Sequence, residues 1–297
     1  MTPLRQRMLE ELLRRNYSPA TIESYILAVK DFAEYFSKSP DLLGAEEVRR
    51  YQLHLINNKR LAPNTVRARM SALRFFYWKT LKRRDLHFDD LPIPKAPLKL
   101  PVVLSPEEVS RLIEAASSLV HRIMLIVLYA TGLRRAELVQ LKLSDIDSKR
   151  MVLHVRGGKG RRDRDLPMTD KLLEALREYW RRSRSRVYLF PSPYGSRDQE
   201  VPITTKAVYH ACRKAAVRAG LSKAIGPHTM RHTFATQHLE SGTDLRTIQY
   251  LLGHSSLKHT VVYLHLSQLH MRAAANPFDQ LSLNPYGVKP PSEADPS

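Results

Sequence analysis

Apolar residues recur at three- and four-residue intervals along the first third of the chain. Ile22, Tyr25, Val29, Phe32 and Phe36 mark one helical face, behind a start signal in which Ser18 caps and Pro19 takes the first helical position. A second periodic segment passes through Val48, Tyr51 and Leu55. A third opens at Asn64-Thr65 and carries Val66, Met70, Leu73 and Tyr77 on its apolar stripe. Together these segments predict a small helical bundle reaching to about Asp85. Pro92, Pro94, Pro97 and Pro101 then deny the chain both helix and sheet and leave a semi-stiff extended connector. Ser105-Pro106-Glu107-Glu108 restarts it as a capping box, with Ser at the cap and Glu three residues on.

Beyond the connector the pattern is mixed. Helices are predicted near 106–117, 120–131 and 135–142, a strand over 151–155, a turn at Gly157-Gly158 and a return strand over 165–168. Further helices are predicted near 170–184, 204–219, 227–241, 244–252 and 256–264. The last dozen residues, rich in Pro, Ser and acid, read as disordered. The organisation is therefore a helical domain over 1–88, a Pro-rich linker over 89–103, a mainly helical domain with a small antiparallel sheet over 104–275, and a C-terminal segment over 276–297.

Composition narrows the class. At 297 residues and 43% hydrophobic, the chain can build two cores and is not a disordered basic tail. Its single cysteine, Cys212, excludes a disulfide scaffold and any Cys-based zinc module, and reads as a small helix-core residue. The apolar run from Ile123 to Ala130 is too short to span a bilayer, and Met1-Thr-Pro-Leu-Arg-Gln-Arg shows no apolar signal region, so a cytoplasmic protein is expected. Lys and Arg total 48 against 29 Asp and Glu, a formal net charge of +19 that suits a polyanion. Charge alone does not choose between duplex DNA, RNA and an anionic membrane. Arg67, Arg69, Arg74 and Lys79 project from the third helix away from its apolar stripe. Each alone reads as solvated surface; together on one helix they suit the grip of a duplex.

The chemistry-bearing residues come as short motifs. Gly157-Gly-Lys-Gly160 lacks the spacing of a phosphate-binding P-loop. His228 and His232 have the spacing of a zinc-binding helix, but Thr229 stands where the catalytic Glu of that motif belongs, so no metal is expected. No pair of carboxylates suggests acid/base hydrolysis. On the positive side, Gly226-Pro227 opens a helix that places His228 and Arg231 on one face near its N-terminus, where a phosphate sits well. Leu251-Leu-Gly-His254 sets a His after a helix-ending Gly, and Tyr263 follows in Thr260-Val-Val-Tyr-Leu-His265. Upstream, Thr131-Gly-Leu-Arg134-Arg-Ala-Glu137-Leu138 puts an Arg at a helix start. The hairpin turn adds Lys159.

Taken in order and at this spacing, these motifs resemble those of the tyrosine recombinases, the phage-integrase and Xer-type site-specific recombinases. The resemblance covers Ala130 to His265, and the N-terminal part resembles the family's helical, SAM-like core-binding domain. It departs in two details, His259 before Thr260 and Leu264 after the tyrosine, neither at a catalytic position. The resemblance implies that Tyr263 attacks a scissile phosphodiester to give a 3′-phosphotyrosyl enzyme and a free 5′-hydroxyl, without metal or nucleotide cofactor. It implies that Arg134 and Arg231 bracket the non-bridging oxygens, that Lys159 protonates the leaving oxygen, and that His228 moves the phenol proton. His254 would donate to a phosphate oxygen, and Glu137 would orient the Arg134 region. It further implies two domains clamping double-stranded DNA at a cross-over site, strand exchange through a Holliday junction, and a homotetramer, with or without a second recombinase. Phe278, Leu281 and Leu283 are apolar anchors by which the C-terminal segment could dock on a neighbour, or on its own domain. Three readings compete: a type IB topoisomerase with nearly the same residues, a DNA-binding regulator without chemistry, and a basic ribosome-associated protein.

Overall fold

A computed structural model describes residues 2–83, 92, 101–157, 163–194 and 199–264. The chain forms two compact units, Met1–Lys99 and Leu100–Ser297. Most of the Pro-rich linker and all of the 276–297 segment, including its expected disorder, lie outside the described residues.

The first unit is built of α1 (Pro3–Arg14), α2 (Pro19–Phe36), α3 (Ala45–Asn57) and α4 (Pro63–Phe75). Ser18 caps α2 as its sequence suggests, its hydroxyl accepting from the Thr21 amide. Thr2 caps α1 in the same way, accepting from the Arg5 amide; the apolar periodicity does not separate this helix from α2, and Met8 and Leu12 are its buried face. The unit's core joins these to Phe32, Val48, Tyr51, Leu55, Val66, Met70 and Leu73. At the end of α4, Phe75, Phe76 and Tyr77 are all buried. Three consecutive inward side chains exceed what a 3.6-residue period allows, and Phe76–Thr80 accordingly widens into a π-helical turn. The Tyr77 hydroxyl then reaches the carbonyls of Pro40 at 2.8 Å and Leu43 at 3.0 Å.

The second unit contains α5 (Pro106–Glu114), α6 (Leu119–Thr131), α7 (Arg135–Gln140), α8 (Asp170–Ser183), α9 (Thr205–Arg218), α10 (Pro227–Glu240), α11 (Leu245–Leu252) and α12 (Lys258–Val261). Its antiparallel sheet runs β1 (Ile146–Asp147), β2 (Val152–Val155) and β3 (Arg164–Pro167), in that order. The two expected strands are present and pair antiparallel, while all but Gly157 of the turn expected between them lies outside the described residues; β1 is an addition, paired through Ile146 opposite Leu153. Helix α5 stops at Glu114 and α12 spans only four residues, both shorter than their periodicity suggests. Helix α10 packs against α6 and α11, and it buries Met230, Arg231, Thr233, Phe234, Ala235 and Thr236 in near-continuous sequence. A charged side chain buried in such a helix needs hydrogen-bond partners, and Arg231 finds them in two backbone carbonyls.

Candidate active site

Six elements, α6, α7, β3, α10, α11 and α12, deliver the site. Helix α6 ends at Gly132, whose left-handed backbone (φ +60°) leaves no room for another residue: a Cβ there would stand 2.5 Å from the Phe234 ring. The chain therefore turns sharply, and Arg134 becomes the cap of α7. Glu137, three residues on, completes the cap by accepting from the Arg134 amide at 2.8 Å. The same carboxylate accepts from Nη1 of the Arg134 side chain at 2.8 Å, so one acidic residue fixes both ends of the arginine.

Arg231 enters from α10 and is 3% exposed. Its Nη1 donates to the Gly132 carbonyl at 2.7 Å and its Nη2 to the Leu252 carbonyl at 2.6 Å. Arg134 Nη2 donates to the next carbonyl, Gly253, at 3.1 Å. Each guanidinium spends two of its five N–H groups on the protein and keeps the rest. Burial, and then the neighbouring Arg134, push Arg231 down to about 10, which still leaves it charged at neutral pH.

A third arginine lies in the hairpin segment Gly157–Pro167 that resembles the family's lysine-bearing turn, but the resemblance gives it no role. Arg164 opens β3 opposite Val155, on the inward face with Leu166. Its Nη1 and Nη2 grip both oxygens of Glu137 at 3.1 and 2.9 Å, and its Nε donates to the Leu251 carbonyl at 2.8 Å. Burial alone would raise the Glu137 carboxyl; the bonds and charge of Arg164, then those of Arg134, instead hold it at about 2. Strand alternation carried back from Leu166 points to Arg164, but a strand begun at Asp165 passes it by.

The imidazoles and the phenol complete the cluster. Tyr263 follows α12 and is 1% exposed, with its hydroxyl 3.2 Å from His232 Nδ1. Its ring plane lies within 7° of that of His254, with centroids 6.4 Å apart. Burial raises the Tyr263 phenol above its ordinary value, against the pull of Arg231 and Arg134. Burial also drives His232 down to about 4 and, with Arg231 and Arg134, drives His254 down to about 3, so both rings are neutral at pH 7. His254 Nδ1 lies 2.9 Å from the Thr260 hydroxyl. His228 is exposed one turn before His232, and burial and the nearby Arg135, Arg231 and Arg134 lower it too.

The structure thus brings Arg134, Glu137, Arg231, His254 and Tyr263 into one cluster with His228 at its edge. The partner of the phenol is His232, which the sequence marks only as a possible half of a metal pair. Among the described residues no group of three or more His, Cys, Asp or Glu could hold a metal ion, and no helix is long and apolar enough to cross a membrane. Lys159 lies outside the described residues. In the other unit Arg67, Arg74 and Lys79 are exposed, whereas Arg69 is ion-paired with Asp31.

Comparison with known proteins adds independent findings. The phage integrase family model matches residues 102–270, and the N-terminal SAM-like domain model of phage integrases matches residues 4–85. A Sinorhizobium fredii protein named as an integrase/recombinase, y4qK, is 47% identical over 295 residues, covering 99% of this chain and 94% of that protein. The tyrosine recombinase XerA of Thermococcus kodakarensis is 35% identical over 260 residues, covering 86% and 88%. The crystal structure of XerA recombinase, 34% identical, covers 91% of this chain and 95% of its own with a TM-score of 0.52. XerH recombinase bound to its difH substrate, at 23% identity and a TM-score of 0.68, shares the fold over 89% of this chain and 82% of its own.

Proposed function

Since the chain belongs to the phage integrase family of tyrosine recombinases, we propose that the cluster around Arg134 and Arg231 cleaves and rejoins double-stranded DNA at a defined site, with Tyr263 as nucleophile. The observation that carries this reading is the placement of two guanidiniums on the consecutive carbonyls of Leu252 and Gly253, just ahead of His254 and Tyr263. Both arginines are held before any substrate arrives and both keep free N–H groups. A phosphodiester carries one negative charge, and its pentacoordinate transition state gathers more on the non-bridging oxygens. Fixed donors aimed at that site strengthen as the charge grows and need no rearrangement. A lysine could not serve as well, because its point charge cannot bond two carbonyls in a plane and still face a phosphate.

In the reaction the Tyr263 oxygen forms a bond to phosphorus and the bond from phosphorus to the 5′-oxygen breaks. The phenol proton leaves towards the imidazoles of α10. His232 holds the hydroxyl by its Nδ1, but at about 4 it is too weak a base to keep the proton; solvent-exposed His228 is the better exit. Lys159, which falls between β2 and β3 in the sequence, supplies the proton that the 5′-oxygen gains. His254 is neutral, so one ring nitrogen donates and the other accepts; a Thr260 hydroxyl donating to Nδ1 leaves Nε2–H free for a phosphate oxygen. Attack by a second strand's 5′-hydroxyl on the phosphotyrosine reverses the chemistry on a new partner and passes through a Holliday junction. On this reading residues 1–88 grip the duplex, 104–275 cut it in the cytoplasm, and 276–297 tie neighbours into a homotetramer.

The test is covalent capture. The purified full chain is offered a pool of end-labelled, nicked duplexes with randomised centres, and molecules trapped as protein–DNA adducts are sequenced and reused as substrate. Wild type should form a phosphotyrosyl adduct that Tyr263→Phe lacks while binding the same duplex. Undiminished adduct in Tyr263→Phe overturns the nucleophile, and no adduct from any sequence favours a DNA-binding regulator.

A further inference from the structure

The residues implied by the family resemblance leave Arg164 without a role. It is 5% exposed, it does not face solvent, and it makes three side-chain hydrogen bonds inside the site. Its setting is unusual in one respect. Helix α11 ends with the carbonyls of Leu251, Leu252 and Gly253, which have no further helical turn to accept from, and each takes a different arginine: Arg164, Arg231 and Arg134 in that order. Gly253 makes this possible. It adopts a left-handed backbone (φ +59°), and a Cβ there would stand 2.9 Å from Arg164 Nη1.

The electrostatics give Arg164 a task. Glu137 orients Arg134 by accepting from both its amide and its Nη1. That grip places a buried carboxylate beside the residue meant to attract a phosphate, and a carboxylate paired only with Arg134 would cancel its charge. Arg164 occupies the same two oxygens and cancels the carboxylate instead. Three guanidiniums then face one carboxylate, and the positive charge of Arg134 remains available to substrate.

Resting on the reading of Arg134 given above, we propose that Arg164 is a positioning residue for strand cleavage, acting through Glu137 and the end of α11 rather than on the DNA. The charged groups facing Glu137 are Arg134 from α7, Arg164 from β3 and Arg231 from α10; Lys142, Asp145 and Arg156 line a cleft of about 360 Å³ against its other side.

The proposal is tested with the full chain and a duplex obtained by covalent capture, measuring single-turnover adduct formation at saturating DNA, DNA affinity and thermal unfolding. Arg164→Met should lower the cleavage rate by about 10²-fold, with affinity within about threefold of wild type. Adding Glu137→Gln to it should restore part of the rate, because the amide keeps an acceptor for Arg134 and removes the stranded charge. The ratio of the single variant's rate to wild type should also rise as pH falls, since Glu137 without Arg164 gains a proton at a higher pH than in the wild type. A residue that only supports the fold would show neither rescue, and one that touches the phosphate would not be helped by Glu137→Gln. Equal deficits in the single and double variants therefore overturn the proposal, as does a wild-type rate in Arg164→Met. Should Arg164→Met fail to fold, Arg164→Lys with and without Glu137→Gln carries the same comparison, with a smaller deficit expected because the charge is kept. Arg134→Ala separates the two readings: if it cleaves like wild type, the role of Arg134 has failed; if it is inactive while Arg164→Met cleaves normally, only the role of Arg164 has.

Discussion

The two units of the chain use cations in opposite ways. On and just beyond α4 of the first unit, Arg67, Arg74 and Lys79 stand exposed, and Arg74 only leans over the Trp78 ring at 5.6 Å. In the second unit Arg134, Arg164 and Arg231 are largely or wholly withdrawn from water, and each has a backbone carbonyl as acceptor. An exposed long side chain must give up rotamer freedom when it meets a phosphate, and its charge is screened by salt. A guanidinium already fixed in the fold has met that cost during folding. The first kind is suited to following a sugar–phosphate backbone wherever it runs; the second is suited to one phosphorus atom. On the proposed function, these two sets of cations within the formal excess of +19 would do different work.

The sharpest way to break this comparison is Arg231→Lys. The ammonium retains the charge but offers one nitrogen where Nη1 and Nη2 separately bond the Gly132 and Leu252 carbonyls, so the two buried acceptors lose their fixed planar pairing. Cleavage at saturating DNA should fall about 10³-fold while affinity stays within about threefold, read as adduct rate against mobility shift. Affinity falling in step with the rate would mean that Arg231 grips rather than catalyses, and the distinction between the units would collapse.

How far each unit could be read from sequence follows the same division. Side chains that meet partners within a turn or two leave a local pattern: Ser18 at its cap, the apolar faces of α2 and α4, and the Arg134–Glu137 spacing are all legible. The motif order located Arg231, His254 and Tyr263 because the residues between them belong to short, regular elements. What sequence withheld depends on contacts made far along the chain. Arg164 reaches Glu137 across 27 residues and Leu251 across 87, and nothing adjacent to it in sequence records either bond. His232 has suitable spacing for a metal ligand, yet its neighbour is the phenol 31 residues downstream. The π-helical turn at Phe76–Thr80 results from three aromatic residues sharing one core, a packing outcome rather than a propensity.

The comparison is sharpened next by removing the exposed cations together. Arg67→Ala/Arg74→Ala/Lys79→Ala should weaken DNA affinity by roughly tenfold at moderate salt and flatten the salt dependence by up to about three units of log–log slope. The rate of adduct formation at saturating DNA should not change, because none of these groups belongs to the unit that carries the cluster. A lowered saturated rate with an unchanged salt slope would reverse the assignment and give the first unit a part in chemistry.

Arg69 is the smallest effect and the most exacting test, since it sits on the same helix as the exposed cations but behaves like the buried ones. It is ion-paired with Asp31 of α2, with side-chain exposures of 24% and 32%. A partly sheltered pair of this kind contributes about 0.5–1 kcal/mol, through its hydrogen bonds more than through its charge. Arg69→Met should accordingly lower the unfolding midpoint by a few degrees and leave the salt slope of DNA binding as in wild type. Arg67→Ala should do the reverse, losing about 0.9 of slope with no change in stability. If Arg69→Met flattens the slope as much as Arg67→Ala does, Asp31 releases its arginine to the DNA, and burial in the free protein is not what separates a gripping cation from a structural one.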